Sequence, residues 1–133
     1  MTVDLAAIRK QLGDQVHNTM PEVNVYAWPE PQPEYPAVLF GPLDTIEYHV
    51  SYCTEGVAIT WLVELVVANP DAESAARNLE ALLSGDVNVV RAIEDATPPS
   101  GEWSSIVVSE ARNFRRWETL DGFGCELAVS VHV

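Results

Sequence analysis

VAITWLVELVVANPDAESAARNLEALLSG, residues 57–85, decides how this chain folds. Its first twelve residues are apolar at every position except Thr60 and Glu64. They are rich in β-branched and aromatic side chains, which suit a pleated surface better than a helix turn. A strand apolar on both faces is a strand covered on both faces, so the run predicts the centre of a sheet. The period then changes. Ala72, Ala75, Ala76, Leu79, Leu82 and Leu83 recur at helical spacing and predict an amphipathic helix whose stripe lies on that sheet. Asn69 followed by Pro70 offers a cap and a first-turn proline, and Gly85 offers the stop.

Upstream, Leu5, Ile8, Leu12 and Val16 in VDLAAIRKQLGDQV predict a first helix, with Thr2 available as its N-cap. After the breakers of HNTMP, NVYAW reads as a short edge strand or extended arm, stopped by four prolines between Trp28 and Pro36. PAVLF is a short apolar run bounded by prolines. TIEYHVSYC then alternates, with Ile46, Tyr48, Val50 and Tyr52 on one side and Glu47, His49, Ser51 and Cys53 on the other, as a half-buried strand does. Downstream, a shorter helix is expected over about Asn88 to Ala96, running into a TPPSGE loop. Two strands follow, roughly 103–119 and 123–133, joined at Leu120-Asp121-Gly122-Phe123. A two-residue Asp121-Gly122 turn would set Arg116 opposite Leu127 and Arg115 opposite Ala128. The expected fold is α+β: one domain over residues 1–133, a mainly antiparallel sheet with helices packed on one face and a long C-terminal β-hairpin.

A chain of 133 residues has room for one core. Its longest apolar run, Val57 to Ala68, is far short of a membrane span and is interrupted by Glu64. The N-terminal residues carry no secretory signal pattern, so the expected compartment is the cytoplasm. Cys53 and Cys125 fit a reducing compartment and read as buried small apolar groups. The formal charge of −13 disfavours nonspecific nucleic-acid binding. That charge is uneven: residues 1–111 hold 17 acids and 4 bases, whereas residues 112–133 hold 3 of each. Arg112, Arg115 and Arg116 form the only dense basic spot.

Sites for catalysis are sparse. There is no glycine-rich phosphate loop, nucleophile elbow or paired-histidine helix. His17, His49 and His132 fall in different elements. His49 and Cys53 share a strand face but lie about 13 Å apart at strand rise, too far to ligate one metal. Glu64 is a carboxylate in an apolar strand, a setting that raises a pKa, yet nothing near it in sequence supplies a catalytic mate. No catalytic residue, cofactor site or metal site is therefore expected. Trp61 is expected in the core. Trp28, Tyr35, Trp103 and Trp117 lie beside prolines, in loops or among charges. They suit either binding hot spots or flaps folded over their own sheet.

The order of parts is an amphipathic helix, a VYAW strand, PAVLFGP, TIEYHVSY, the long apolar strand, the helix pair NPDAESAARNLEALLSGDVNVVRAIED and a hairpin ending CELAVSVHV. It resembles the small tail-terminator and tail-completion proteins that join head to tail in long-tailed bacteriophages, particularly those of actinobacterial hosts. The resemblance covers nearly the whole chain and lies in layout rather than in a signature motif. It implies a virion component assembled in the host cytoplasm, a hexameric ring of this chain capping the tail tube. Its partners would be the tube protein and a head-completion or connector protein, with DNA passing through but not tightly held, and with no membrane, cofactor or catalysis. Trp28, Tyr35, Arg112, Arg115, Arg116 and Trp117 are the expected subunit contacts. The alternatives are a small cytoplasmic ligand-binding or regulatory domain without catalysis, and an adaptor whose proline segment is read as a polyproline helix.

Overall fold

The computed structural model describes residues 4–28, 33–48, 56–68, 71–98, 103–117 and 122–133, with backbone alone at Pro42, Ala72 and Trp117. Helix α1 (Leu5–Thr19) leads into β1 (Asn24–Tyr26), then β2 (Ala37–Tyr48) and β3 (Val57–Ala68). Helices α2 (Ala72–Ser84) and α3 (Val89–Glu94) follow, and β4 (Ser105–Trp117) and β5 (Gly122–His132) close the chain. The strands form a five-stranded sheet ordered β1-β2-β3-β5-β4. Only β1 with β2 is a parallel pair. The fold is α+β with the helices on one face, and the long apolar run, β3, is its central strand.

Alternation along β3 explains the layering. Ile59, Trp61, Val63, Leu65 and Val67 point to the helix side, where all five are buried with Ile8, Leu12 and Val16 of α1 and with Leu79 of α2. From β5 the same layer receives Cys125, Leu127, Val129 and Val131, each opposite one of these β3 residues or its neighbour in register. The other β3 set carries Ala58, Thr60, Leu62, Glu64 and Val66 to the opposite face. That face is covered only in part, where Ala37, Leu39 and Val66 form a small second cluster under Tyr26 and Tyr35. The full apolarity of β3 is thus used on the helix side along its whole length and on the far side mainly near its end.

Local chemistry sets the boundaries, with two changes from the expected caps. Asp4 caps α1 by accepting from Ala7 N–H at 3.1 Å, so the carboxylate nearest the helix start does the work expected of Thr2. Asp71 caps α2 by accepting from Ser74 N–H at 2.8 Å, in place of Asn69, which with Pro70 and Thr2 lies outside the described residues. Asn88 caps α3 by accepting from Arg91 N–H at 2.9 Å. PAVLF and TIEY are not two strands but one. They run together as β2, with register shifts between Phe40 and Leu43 and between Leu43 and Thr45 where Gly41-Pro42 passes. His49, Val50, Tyr52 and Cys53 lie outside the described residues.

The hairpin register also differs from expectation. Trp117 pairs with Gly122, Arg116 with Phe123 and Arg115 with Gly124, so residues 118–121 make the connection and Gly122 is inside β5. The cause is packing. A Cβ on Gly122 would stand 2.4 Å from Val66 Cγ1 and 2.9 Å from Val67 O. Glycine serves there for close approach inside the sheet rather than for a turn.

Candidate subunit interface

The aromatic end of the expected interface is organised by a residue that sequence reasoning passed over. Arg9 follows Ile8 on α1 and is 93% removed from solvent, although α1 is otherwise an amphipathic helix. Its Nη1 donates to the carbonyl oxygens of Ala27 at 3.0 Å, Phe40 at 3.0 Å and Gly41 at 3.1 Å. Its guanidinium lies over the Trp28 ring at 4.3 Å and within 5.8 Å of the Trp61 ring centroid. Burial pushes the Arg9 pKa down from its ordinary value, but an arginine starts so high that it stays charged. Among the described residues it makes no ion pair; backbone carbonyls and indole faces balance its charge. The signal was present: position 9 lies one turn after Leu5 and one turn before Gly13, which is also buried, so it belongs to the inward stripe.

Two successive carbonyls of an even strand point opposite ways. The register shift at Phe40 lets those of Phe40 and Gly41 reach one guanidinium. Gly41 is required there, since a Cβ would meet Leu62 O at 2.7 Å. Trp28, stacked on the outer side of Arg9, remains 61% exposed. Tyr35 sits differently: it is half-buried over Ala37, Leu39 and Val66. The chain around it is tied to β1, where Asn24 Nδ2 donates to Glu34 O at 3.1 Å and Glu34 N–H donates to the Tyr26 hydroxyl at 3.0 Å. Of the proline segment, Pro29 and Pro31 lie outside the described residues, whereas Pro33 to Pro36 lie against their own subunit.

The arginines lie on β4, at the other edge of the sheet from β1. Arg112 Nη1 pairs with Glu110 Oε1 at 2.9 Å, and its Nε stands 3.9 Å from Glu126 Oε2. Asn113, in the left-handed region at φ 56°, donates from Nδ2 to the same Glu126 oxygen at 3.1 Å. This residue and Phe114 fall in the register shift between Arg112 and Arg115, which leaves Phe114 51% exposed. The register puts Arg112 and Arg115 on the face that carries Glu64 and Glu126, and Arg116 on the helix side beyond the core. Both Arg115 and Arg116 are exposed and both engage other groups of the chain. Trp117 pairs with Gly122 through its backbone; its side chain is outside the described set.

Glu64 stands opposite Glu126 on β5 and Leu39 on β2. Burial, and then the Glu126 charge, hold its pKa above the ordinary carboxylate value, while Arg115 pulls the other way. Trp103 is buried, which settles it as a core residue. Cys125 is also buried, and burial pushes its thiol up to about 11, so it is a packing group rather than a nucleophile. Among the described residues no group of three or more His, Cys, Asp or Glu side chains could hold a metal, and no helix is long and apolar enough to cross a membrane. An open cleft of about 470 Å³ lies between α2 and the ends of β2 and β3, lined chiefly by Met20, Tyr35, Val67, Leu82 and Val87, without a convergent set of polar groups.

Trp28 therefore lies at the β1 edge and the arginines on β4 at the other, whereas the Tyr35 ring reaches across the sheet to Val66 and to Gly122, the β5 residue that pairs with Trp117. No protein-family model and no curated protein matches the chain. Among solved structures, it is similar in fold to a chain from the virion of a native gene transfer agent particle. The two share 16% sequence identity and a TM-score of 0.58, over 97% of this chain and 93% of that one.

Proposed function

We propose that this chain is a structural virion protein of a tailed phage or phage-like particle, a single domain acting without catalysis. In this reading it forms a ring, hexameric by analogy with the proteins it resembles, that caps the tail tube and joins it to the head. The observation that carries the reading is the correspondence of fold along almost the whole of both chains with a component of a gene transfer agent virion. The layout of parts supports it independently, because it resembles tail-terminator and tail-completion proteins. Its partners would be further copies of itself, the tube protein and a head-completion or connector protein.

Composition agrees with such a place. DNA moving through a ring must not adsorb to it, and a chain of net charge −13 repels phosphate at short range, within about 8 Å at physiological salt. The hydrogen-bonded stack of Arg9 and Trp28 holds an exposed aromatic ring in a fixed pose, which lowers the entropy lost on docking. Native mass spectrometry of the purified chain tests the reading: a closed oligomer of fixed stoichiometry is expected. A monomer at concentrations near 100 µM, about the range of weak association, would overturn it.

A further inference from the structure

We propose that successive copies of this chain join head to tail at their sheet edges, the outer edge of β4 in one copy lying along the outer edge of β2, residues 43–48, in the next. The inference rests on the ring reading and names the surfaces that would build the ring.

Topology supplies the two edges. Strand β1 covers β2 only at Ala37, Val38 and Leu39, and among the described residues no strand pairs with the outer side of β2 after that point. At the far end of the sheet β4 pairs, among the described residues, with β5 alone. Open edges invite pairing, and proteins blunt those that must stay alone. On each edge a helix side chain takes up backbone groups. Arg9 of α1 occupies the Phe40 and Gly41 carbonyls of β2, and Glu94 of α3 accepts from Val108 N–H of β4 at 3.1 Å. Past these guards two stretches remain, 43–48 on β2 and 110–117 on β4. They are about 20 Å and 26 Å long at strand rise, a usable match.

Charge then selects the pairing. The β2 stretch carries Asp44 and Glu47, both exposed, and no base. The β4 stretch carries Arg112, Arg115 and Arg116 against the single acid Glu110. In a chain of net charge −13, copies repel one another on the whole, and contact between this basic strand and an acidic surface offsets that repulsion. Arg115 and Arg116 already have partners within the chain, so docking offers each an additional partner rather than its first. Each stretch also shows a large exposed ring, Tyr48 at 68% and Phe114 at 51%, which contact would cover. Because the two edges differ, the contact is heterologous, the kind that closes into a ring when the rotation per copy allows. Like charges within each edge oppose the wrong pairings, β4 with β4 and β2 with β2.

The experiment is a charge exchange on the full chain, read by native mass spectrometry and sedimentation. Arg115→Glu with Arg116→Glu, and separately Asp44→Lys with Glu47→Lys, should each weaken self-association by more than about tenfold. Mixing the two double variants, or combining all four changes in one chain, should restore the wild-type stoichiometry. Circular dichroism melts report whether each variant folds, and Arg115→Glu and Glu47→Lys alone carry the same comparison should a double variant unfold. A wild-type ring that both double variants still form, or that the mixture and the four-change chain fail to recover, overturns the edge assignment and leaves the ring reading standing. A monomeric wild type overturns both.

Discussion

Replacing Arg9 with methionine tests whether the buried guanidinium holds α1 to the sheet. Methionine matches the length of the side chain and keeps its apolar contacts, so the loss is confined to the hydrogen bonds and the stack. Three carbonyl oxygens lose their donor, at distances of 3.0, 3.0 and 3.1 Å in the parent. That of Ala27 is only partly buried and can be rehydrated, which leaves Phe40 and Gly41. A buried acceptor left unsatisfied costs about 1–3 kcal/mol. The partly exposed cation–π contact with Trp28 adds about 0.5–1 kcal/mol. Burying methionine where a charge stood returns about 1 kcal/mol on the usual area scale. The expected loss is about 1.5–6 kcal/mol, a large part of the about 5–15 kcal/mol by which domains are stable. Urea denaturation followed by far-ultraviolet circular dichroism measures it, with Lys10→Met on the exposed side of the same helix as the control at about 0.5 kcal/mol or less. A loss below about 1 kcal/mol for Arg9→Met would mean that water satisfies these carbonyls and that the guanidinium is incidental to stability.

Leu79 is fully buried whereas Leu82 is half-buried at the open cleft, so Leu79→Ala should cost about 2–5 kcal/mol and Leu82→Ala distinctly less; equal losses in denaturant titrations would contradict the placement of α2. Gly122→Ala forces a methyl group to within 2.4 Å of Val66 Cγ1 and should destabilise by about 1–3 kcal/mol, seen as a lower melting temperature; an unchanged value would show that β5 can shift without penalty. For Glu64 the folded-state pKa is raised, so the folded chain binds its proton first as pH falls. Stability from this site is therefore least at neutral pH and grows from the raised folded value down to the ordinary 4.5. Glu64→Gln should be more stable than the parent at pH 7 and should lose that part of the pH dependence; a variant less stable at pH 7 would refute it.

The sequence reading succeeded where a single period ran long enough to leave one solution. A twelve-residue run ending at Ala68, apolar but for Thr60 and Glu64, reads as a central strand, and the alanine and leucine stripe of α2 has one face to bury. It failed where backbone geometry depends on a distant neighbour. Gly122 looked like half of a turn because Asp-Gly usually is one; what fixes it is Val66, 56 positions earlier and across the sheet. PAVLF and TIEY looked separate because Gly41-Pro42 is a breaker pair, but a bulge absorbs it when Arg9 takes the freed carbonyls. Arg9 itself was passed over because a charged side chain in an apolar stripe reads as noise until its acceptors, 18 to 32 positions away, are known. The six candidate contact residues were chosen by type, and type said nothing about which edge each would occupy. Only the strand order separated Trp28 from the arginines.

The strand order also bears on how the chain reaches this state. β2 with β3 and β4 with β5 are each neighbours in sequence, so both ribbons can form by closing short loops. The join between them, β3 to β5, is of another kind: Leu65 meets Cys125 and Ile59 meets Val131, partners 60 and 72 positions apart with α2 and α3 between them. Sheets dominated by such distant pairings fold in milliseconds to seconds, because the loop must close before any contact rewards it. The kinetic barrier should therefore lie at this central seam. A truncation in it, such as Val63→Ala, would act mainly on the refolding rate, whereas one at the outer end of a ribbon, such as Ile106→Ala, would act mainly on unfolding. During that interval the chain displays two half-sheets with bare β3 and β5 margins, and its dense acidic charge keeps copies apart until the seam has closed.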